Sequence, residues 1–597
     1  MTSAISTPEG GFDAAISAAT WRAKYRRNGA DGTPERGIED TWRRVARALA
    51  AAEPAGREEW ERRFYAALED FRFLPGGRIL AGAGTGEHVT LFNCFVMGAI
   101  EDSLDGIFDA LKEGALTMQQ GGGVGYDFST LRPAGTRART TGTIASGPVS
   151  FMRIWDAMCA TILSTGARRG AMMATLRCDH PDIEAFIAAK HDARELRHFN
   201  LSVLVSDDFM RAVRADAEWP LRFPPPDVAG DEATVYRSVK ARALWQSIMR
   251  ANYDYAEPGV IFIDRVRRLD NLGYAERISA TNPCGEIPLP PYGACDLGSI
   301  NLTRFVQRPF SSAAAVDFEG IAATAAIATR MLDDVYEISR FPLPQQRAVA
   351  QTSRRIGLGL TGLADALVML GIEYGTPRSF EVAARLMRTI CHAAYRASTA
   401  LAREKGSFKL FDKNQYLKSE FVAALPDDIR AAIARDGIRN SHLTAIAPAG
   451  TISLLAGNVS SGLEPIYAAD YLRSVRLADE RVEAFEVSDY ACARYRELTG
   501  TRALPPAFVA AAQIEPRAHL AMQAALQPYV DNAISKTVNV PEDLDFAAFC
   551  SLYEEAYALG LKGCTTFRPN PVTGAVLTPR AAAEAAAHCC SIEREAD

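Results

Sequence analysis

The run Thr281–Glu286, TNPCGE, places an amide, a thiol and a carboxylate close together in the chain. Pro283 favours extended backbone for the residue before it, and in an extended run alternate side chains share a face. Asn282, Cys284 and Glu286 would then form one small site. The carboxylate can accept a proton, the amide can orient a hydroxyl, and the thiol can be a nucleophile or a radical carrier. A Pro-Gly turn with a chance cysteine explains the run equally well.

Two further cysteines lie in β-like or loop-like runs, Cys94 in LFNCFV and Cys295 in YGACDLGSINL. Distant thiols can form a reversible disulfide, but their spacing cannot establish one, because bonded cysteines need close Cα atoms. The absence of a CxxC pattern argues against a structural zinc site. A thiol hydrolase would need a histidine near Cys284, and none of the eight histidines is adjacent to it in sequence.

Four other cysteines lie within apolar patterns of helical period, and we expect them to be buried small hydrophobes. They are Cys159, Cys391, Cys492 and Cys550.

The elements that must position these residues alternate between helical patterns and short β-rich runs. Residues 40–70 predict a helical pair interrupted at Pro54-Ala55-Gly56, and further helical patterns cover 104–119, 150–163, 320–338 and 379–404. The β-rich runs include HVTLFNCFV, HFNLSVLVS and SHLTAIAP. This alternation favours an α/β fold with parallel strands.

Composition limits the classes of function. The 597 residues carry a net charge of −6 with both signs mixed, which predicts no nucleic-acid surface. The N-terminus lacks a basic segment followed by an apolar core, and no run of about 18 apolar residues occurs, so we expect neither a signal peptide nor a membrane span. The cytoplasm is the expected location.

Several longer motifs occur in a fixed order over roughly residues 70–570. They are NCFV followed by EDSLDGIFDALKEGALTMQQGGGVGYDFSTLRP, then NPCGE with CDLGSINL, then RRIGLGLTGLADAL, then AIAPAGTISLLAG. Together they resemble the large, catalytic subunits of ribonucleotide reductases. The resemblance implies a ten-stranded α/β barrel, with two parallel five-stranded halves around a central finger loop. It divides the chain into an N-terminal helical region (1–70), the barrel (71–570, with an effector-binding region near 100–175) and a flexible tail (571–597).

The resemblance also implies catalytic roles. Cys284 matches the transient thiyl radical that removes the 3′ hydrogen of the ribose. Glu286 matches the base for the 3′-hydroxyl proton, and Asn282 matches a residue that hydrogen-bonds the reacting ribose. Cys94 and Cys295 match the dithiol that reduces the 2′ carbon and becomes a disulfide. A thiol pair can supply the two electrons that this reduction needs.

The substrate pocket is implied in the same way. PAGTIS precedes an apolar run and matches a phosphate-binding turn, although in isolation an ordinary capped turn is favoured. This sequence departs from the family pattern at PGGRIL, which lacks an obvious counterpart of the family's usual small hydroxyl residue. The residues implied to contact the substrate are Gly77, Asn93, Cys94, Gly123, Asn282, Pro283, Gly285, Pro448, Ala449, Gly450, Thr451 and Ile452.

A second nucleotide site is implied for a regulatory deoxynucleotide. Asp102 and Ser103 match residues that hold its ribose, and Arg132 matches a phosphate contact. A simpler explanation is that Asp102 or Ser103 caps the helix starting near Leu104. The loop Gly166–Gly170 resembles the one that relays effector identity, although it would also suit a solvated turn. Because this site usually forms between subunits, a homodimer is expected.

The source of the radical divides the family. Members that depend on a metal-bearing subunit carry two adjacent tyrosines in a segment matched here by Gly560–Arg568, which has none. Glycyl-radical members need a glycine near the C-terminus, and Ala581–Asp597 has none. These features indicate adenosylcobalamin as the cofactor. The alternatives are a reductase that uses a metal radical subunit by an unusual path and a nucleotide-binding homologue without activity. Diphosphate and triphosphate substrates both stay open.

The tail contains Cys589 and Cys590 close to the C-terminus. They resemble the mobile C-terminal dithiol that carries electrons from thioredoxin or glutaredoxin to the active site. The usual pair has intervening residues, whereas these two cysteines are adjacent. Two exposed cysteines without a role are the alternative.

Overall fold

The computed structural model describes residues 11–12, 14–28, 32–137, 142, 144–164, 168–192, 194–224, 233–476, 482–569 and 578–579. The first α-helices are α1 Ala15–Thr20, α2 Ile38–Ala50, α3 Arg57–Leu68, α4 Gly77–Gly82, α5 Leu104–Gln119, α6 Pro148–Thr161, α7 Ile183–Ile187, α8 Asp207–Ala215, α9 Ala241–Tyr255 and α10 Ile263–Arg268. They are followed by α11 Phe318–Ile338, α12 Pro344–Ser353, α13 Leu363–Met369, α14 Pro377–Lys405, α15 Lys413–Tyr416, α16 Glu420–Ala423, α17 Asp427–Asp436, α18 Gly450–Leu455, α19 Tyr490–Thr499, α20 Pro516–Leu526 and α21 Phe546–Ala558.

The strands divide into a long central sheet and several short hairpins. The first are β1 Phe73–Pro75, β2 Cys94–Val96, β3 Gly123–Asp127, β4 Leu163–Ser164, β5 Arg168–Arg169, β6 Met172–Arg177, β7 Phe199–Val205, β8 Glu218–Phe223, β9 Thr234–Lys240, β10 Gly259–Phe262 and β11 Ala280–Thr281. They are followed by β12 Pro288–Leu289, β13 Ala294–Asn301, β14 Val306–Gln307, β15 Ala315–Val316, β16 Ile356–Thr361, β17 Asp470–Arg476, β18 Val482–Ser488, β19 Thr537–Asn539, β20 Gly563–Phe567 and β21 Thr578–Pro579.

The predicted helices are present. The helical pair is α2 and α3, separated at residues 51–56, and Ile38, Trp42, Val45 and Leu49 form the buried stripe of α2 at the helical period. The patterns at 104–119, 150–163, 320–338 and 379–404 are α5, α6, α11 and α14. Their apolar faces pack against the sheet, as an α/β fold requires.

The four cysteines expected in helices lie in α6, α14, α19 and α21. Cys159, Cys391 and Cys492 are buried, and Cys550 is half-buried. The interpretation of these thiols as packing groups therefore fits their positions.

The central sheet consists of two parallel halves joined antiparallel. Strands β2, β3, β6, β7 and β10 are parallel neighbours. In the other half β13 is parallel to β16, and β19 is parallel to β20. The halves meet through the antiparallel pairs β13–β2 and β10–β20. This is the arrangement expected for the two parallel halves of the barrel.

Isolated bridges complete the second half. Leu358 forms a parallel bridge to Thr444, and Ile446 forms one to Ile534, just before β19. The second half therefore consists of β13, β16, residues 444–446, the segment 534–539 that ends in β19, and β20. With these segments each half has five members, and the ring of neighbours returns to β13.

Two predicted strands are shorter than expected, and side chains explain both. In HVTLFNCFV only Cys94–Val96 is strand, since the amide of Phe92 donates to the hydroxyl of Thr90 (3.2 Å). In SHLTAIAP the structure has only the two bridges, because Asp531 accepts from the amides of Leu443 and Thr444, each at 2.8 Å. Both segments keep their place in the ring, but their ladders are interrupted.

Among the described helices, none combines the length and apolar character needed to cross a membrane. The described residues also contain no group of three or more His, Cys, Asp or Glu side chains arranged to hold a metal ion.

Candidate active site

A short hairpin, β11 paired with β12, carries the NPCGE run. It approaches β3 so closely that a Cβ on Gly125 would lie 1.8 Å from the carbonyl oxygen of Thr281. A Cβ on Gly123 would lie 3.1 Å from Cγ of Pro283. Glycine at these positions of β3 therefore makes room for a hairpin next to the strand. This hairpin is the central finger predicted from the sequence, and we call residues 280–289 the finger.

The finger tip is a turn and not an extended run. The amide of Gly285 donates to the carbonyl of Asn282 (3.1 Å), and Gly285 has a φ of +82°. The premise that alternate side chains share an extended face was therefore wrong. Asn282 and Glu286 nevertheless meet, because the turn folds them together: Nδ2 of Asn282 donates to Oε1 of Glu286 at 2.8 Å. Oδ1 of Asn282 accepts from the amide of Ile287 (3.0 Å), which fixes the amide group.

The two further cysteines lie side by side on adjacent strands. Cys94 of β2 and Cys295 of β13 are direct partners in the antiparallel register. Directly opposite residues have Cα atoms about 4.5–5.5 Å apart, within the range that a disulfide spans. Both thiols belong to one buried cluster with Ile287 and Leu289 of the finger. No disulfide joins the described cysteines, so this pair is a dithiol.

Asn282 connects the finger to the dithiol. Its Nδ2 is 3.2 Å from Sγ of Cys94, which in turn lies 3.8 Å from Oε1 of Glu286. The second carboxylate oxygen, Oε2 of Glu286, is buried without a hydrogen-bond partner. A buried carboxylate oxygen without a partner is costly, and a hydroxyl of a bound molecule would satisfy it.

Burial controls the protonation of the site. It raises the pKa of Glu286 from 4.5 to about 7, which suits a general base at neutral pH. Burial, and next the neighbouring Glu286, raise the pKa of Cys94 well above its ordinary value. Burial does the same for Cys295, with Asp296 adding to the rise. Both cysteines are therefore neutral thiols, able to donate protons and electrons but poor as resting nucleophiles.

Comparison with known proteins identifies the family. Residues 92–567 match the family model described as "Ribonucleotide reductase, barrel domain", and residues 12–88 match "Ribonucleotide reductase, all-alpha domain". The chain belongs to the ribonucleotide reductase family. The members of this family are oxidoreductases that reduce ribonucleotides, in agreement with the resemblance found in the sequence.

Several relatives extend over most of the chain. The "Vitamin B12-dependent ribonucleoside-diphosphate reductase" of Mycobacterium tuberculosis (strain CDC 1551 / Oshkosh) is 38% identical over 94% of this chain and 80% of its own length. The protein of the same name from Thermoplasma acidophilum is 36% identical over 86% of this chain and 66% of its own length. The "Ribonucleoside-diphosphate reductase subunit alpha" of Chlamydia pneumoniae is 27% identical over 72% of this chain and 46% of its own length.

Some of the residues predicted to contact substrate in this reductase lie beside the dithiol. Asn93 is buried, and neither atom of its amide group has a partner. A Cβ on Gly76 would lie 2.8 Å from Oδ1 of Asn93, so the segment that begins α4 at Gly77 passes close to this amide. Pro283 packs on Gly123, and its carbonyl accepts from Nδ2 of Asn200 at 2.8 Å. The contacts of these residues with a substrate stay predictions.

The predicted phosphate turn starts α18. This helix has Ala449 at its N-cap and no side-chain cap, and Thr451 and Ile452 are buried in its first turn. Pro448 lies two residues after Ile446, which forms a bridge to Ile534. The residue before Ile534 is Ala533, and its amide donates to the carbonyl of Glu286 (2.9 Å). The turn and the finger tip are therefore linked through a single intervening segment.

The residues predicted to bind an effector lie at the start of α5. Ser103 is the N-cap, and its Oγ accepts from the amide of Gly106 at 3.0 Å, as the simpler explanation requires. Asp102 does not cap the helix. It pairs with Arg132, whose Nε donates to Oδ2 at 2.7 Å. Effector binding by these residues stays a prediction.

Sequence reasoning missed two residues that hold the finger, Asn200 and Arg355. Asn200 is one of two polar residues, with Ser202, in an otherwise apolar strand pattern, which was a usable signal. Arg355 lies in the quoted motif RRIGLGLTGLADAL, but nothing local distinguishes it from Arg354. Of the loop Gly166–Gly170, residues 166 and 167 lie outside the described residues, as do Cys589 and Cys590.

Proposed function

We propose that this reductase converts ribonucleotides to 2′-deoxyribonucleotides by a thiyl-radical mechanism, with adenosylcobalamin as the radical source. The observation that carries the proposal is the pairing of Cys94 with Cys295 directly across adjacent strands, with Asn282 and Glu286 of the finger in contact with Cys94. A buried dithiol beside a base with a pKa of about 7 suits a reduction that needs both electrons and proton transfer.

Each side chain has a role in this scheme. Cys284 removes the 3′ hydrogen atom, and Glu286 accepts the proton of the 3′-hydroxyl while Asn282 orients the ribose. Cys94 donates a proton as the 2′-hydroxyl leaves as water. Cys94 and Cys295 together supply two electrons and two protons, one proton to the departing water and one to C2′, and they become a disulfide. Cys284 returns the hydrogen atom to C3′, so the 2′-hydroxyl is replaced by hydrogen while the dithiol is oxidised.

The position of Cys284 suits a cofactor that acts in place. Cys284 is half-buried, whereas Asn282 and Glu286 are buried, so Cys284 is the most accessible of the three. The segment that carries the tyrosine pair in other members is β20 here. This strand has no tyrosine, and its Thr566 donates to Oδ1 of Asn252. Bound adenosylcobalamin would supply the radical that converts the Cys284 thiol to a thiyl radical. The names of the Mycobacterium tuberculosis and Thermoplasma acidophilum relatives support this choice of cofactor.

We propose a ribonucleoside diphosphate as the substrate, since these relatives are named as diphosphate reductases. Its phosphates would bind at Pro448–Ile452, where the uncapped start of α18 presents backbone N–H groups. This assigns the two ends of the substrate to segments that Ala533 links, since its amide donates to the carbonyl of Glu286 and its carbonyl accepts from the amide of Ile446.

We propose a homodimer that binds a deoxynucleotide effector near its interface. Apolar side chains project from α5 into solvent: Leu104, Phe108 and Leu116 are 65%, 50% and 40% exposed. A second copy of this helix would cover them. Asp102 and Arg132 adjoin the same helix and are partly exposed, which leaves them accessible to a nucleotide bound there.

We propose that Cys589 and Cys590 carry electrons to the buried disulfide from thioredoxin or a similar dithiol protein. Cys94 and Cys295 are 3% and 0% exposed, so a globular reductant cannot reach them directly. A cytoplasmic location follows from the need for a reducing compartment.

The decisive experiment mixes the full-length chain with adenosylcobalamin, dithiothreitol and either CDP or CTP. Deoxycytidine product that depends on adenosylcobalamin and forms preferentially from CDP is expected. Activity that appears only with a metal-bearing subunit would favour the alternative radical source. Nucleotide binding without product under either condition would favour the inactive homologue.

The tail has a separate test. The double variant Cys589→Ser/Cys590→Ser should lose multiple turnover with thioredoxin but keep turnover with dithiothreitol, because a small dithiol reaches the site without a carrier. A single turnover from prereduced enzyme should also survive. Undiminished thioredoxin-driven turnover would contradict the shuttle.

A further inference from the structure

An arginine continues the row formed by the two active-site cysteines. In the parallel ladder between β13 and β16, Asp296 pairs with Ile356. The residues immediately before them are Cys295 and Arg355. Equivalent positions on neighbouring strands point to the same face, and the strands lie about 4.8 Å apart. Cys94, Cys295 and Arg355 therefore occupy one row across β2, β13 and the start of β16.

Arg355 is fully enclosed and binds both the finger and the segment that leads into it. It is 1% exposed, and its Nη1 donates to the carbonyl of Pro288 in β12 at 3.0 Å. Its Nη2 pairs with Glu276, which precedes β11. Nε donates to Nδ1 of His442 at 3.1 Å. These contacts leave the guanidinium few alternative positions, so its charge is fixed beside the row of sulfur atoms.

The two cysteines consequently have different electrostatic neighbours. Cys94 faces the carboxylate of Glu286, which disfavours negative charge on its sulfur. For Cys295, burial and Asp296 raise the pKa, while Arg355 is the cation that opposes the rise. The group that favours a thiolate at Cys94 is the neutral amide of Asn282, whereas the group that favours one at Cys295 is the full positive charge of Arg355.

The adjacent arginine provides an internal comparison. Arg354 is 6% exposed and nearly as buried as Arg355, but its Nε donates to Oδ1 of Asp333 in α11 at 2.8 Å. It also pairs with Glu337 of the same helix. Arg354 thus lies on the helix side of the strand, and Arg355 lies on the finger side.

We propose that Arg355 gives the Cys94–Cys295 disulfide a polarity, so that an incoming thiolate attacks Cys94 and Cys295 leaves as the thiolate beside the guanidinium. The inference rests on the proposed function, in which this disulfide forms at each turnover. In thiol–disulfide exchange the sulfur with the lower pKa is the better leaving group. Access agrees with this order, because Cys94 contacts the finger tip at Asn282 and Cys295 is the more enclosed of the two.

The electrons and atoms of this exchange balance. A thiolate of an external dithiol forms a bond to Sγ of Cys94, the bond between the two cysteines breaks, and its electron pair stays on Sγ of Cys295. The second thiol of the reductant then attacks the mixed disulfide and releases Cys94. The reductant becomes a disulfide, and its two protons end on Cys94 and Cys295.

The test uses full-length protein with Cys284→Ser, which removes a competing thiol. Diamide forms the Cys94–Cys295 disulfide without any nucleotide, and 2-mercaptoethanol, a monothiol, then opens it. Iodoacetamide alkylates the released cysteine, and peptide mass spectrometry identifies which cysteine carries the adduct. We expect the adduct on Cys94 and the alkylated thiol on Cys295.

Variants isolate the contribution of Arg355. Arg355→Met should reduce the preference for Cys94 by about threefold for each pKa unit that the cation contributes, and Arg355→Lys should restore most of it. Arg354→Met removes an arginine of similar burial and should keep the wild-type preference, which controls for a general loss of stability. An unchanged preference in Arg355→Met would overturn the proposal.

The background protein itself provides a second test that needs no variant at Arg355. If the adduct forms on Cys295 with Arg355 in place, the proposed polarity is wrong, whether or not Arg355→Met folds. Because no ribonucleotide is used, this result is independent of the assay for deoxynucleotide formation. If the wild-type chain forms no deoxynucleotide but the adduct in the Cys284→Ser background is on Cys94, the proposed function is contradicted and the polarity of the disulfide is supported.

Discussion

The interior of the barrel and the surface around α5 leave different groups unsatisfied. In the interior, Oε2 of Glu286 and the amide group of Asn93 are buried without partners. At the surface, Asp102 pairs with Arg132 and Ser103 caps its helix, so the polar groups are satisfied. The side chains that stay exposed to solvent on this surface are apolar, most clearly Leu104 and Phe108.

This difference indicates what each region requires. A buried polar atom without a partner calls for a hydrogen-bonding molecule, and the interior already contains the thiols and the base needed to act on one. An exposed apolar helix face calls for another apolar surface. Under the proposed function one chain assembles the chemistry, whereas a second copy covers the exposed face of α5. The following variants test this division, in order of decreasing expected effect.

Cys284→Ser should abolish reduction while nucleotide binding survives, because a serine O–H is a far poorer hydrogen-atom donor and acceptor than a thiol. We expect a loss of at least about 10⁴-fold in kcat, measured as deoxynucleotide formed per minute. Cys550→Ser, in α21, is the matched control and should retain turnover. Substantial activity in Cys284→Ser would remove this thiol from the mechanism.

Glu286→Gln should lower kcat by about 10²-fold or more, because the base is lost. The same change should stabilise the fold above neutral pH. The pKa of Glu286 rises from 4.5 to about 7 on folding, so between these values the folded protein binds more protons than the unfolded chain. Wild-type stability therefore falls as pH rises through this window.

Urea unfolding at several pH values measures the second effect. The variant should gain up to about 3 kcal/mol over wild type above pH 7, and little below pH 4.5. Glu497→Gln, at an exposed site, should change the unfolding free energy by less than about 1 kcal/mol. A pH-independent difference for Glu286→Gln would mean that this carboxyl is not buried as described.

Phe108→Glu should dissociate the proposed dimer, because a charge on the exposed face of α5 disfavours its burial against a second copy. Analytical ultracentrifugation should find a monomer, and the effector response should disappear. Leu498→Glu, at another exposed apolar position, should leave the dimer intact. A wild-type sedimentation coefficient for Phe108→Glu would place the interface elsewhere.

Asp102→Ala should have the smallest effect. The ion pair with Arg132 is partly exposed, so its loss should cost less than about 1 kcal/mol of stability. Basal activity should survive, while the change in base preference caused by deoxynucleotides, about 5- to 150-fold for typical coupling, should weaken. Asp208→Ala, which removes a more exposed ion pair within α8, is the control. An unchanged effector response would make Asp102 a structural residue.

The success of the sequence predictions depended on distance along the chain. The helices at 104–119 and 379–404 were predictable because apolar residues recur at the helical period within each segment. The strand in SHLTAIAP was not, since the partner that takes the amides of Leu443 and Thr444 is Asp531, far away in sequence. The finger tip failed for a local reason, because Gly285 allowed a turn where an extended run was assumed.

The sequence alone determined the chemical inventory: the residues that carry the reductase motifs, the absence of a tyrosine pair in Gly560–Arg568 and the adjacent tail cysteines. Only the tertiary structure decided that Cys94 lies opposite Cys295 and that Arg355 continues their row. Local patterns specify helices and turns, because those contacts lie within a few residues. The register between distant strands is set by the packing of the whole barrel, which no short segment encodes.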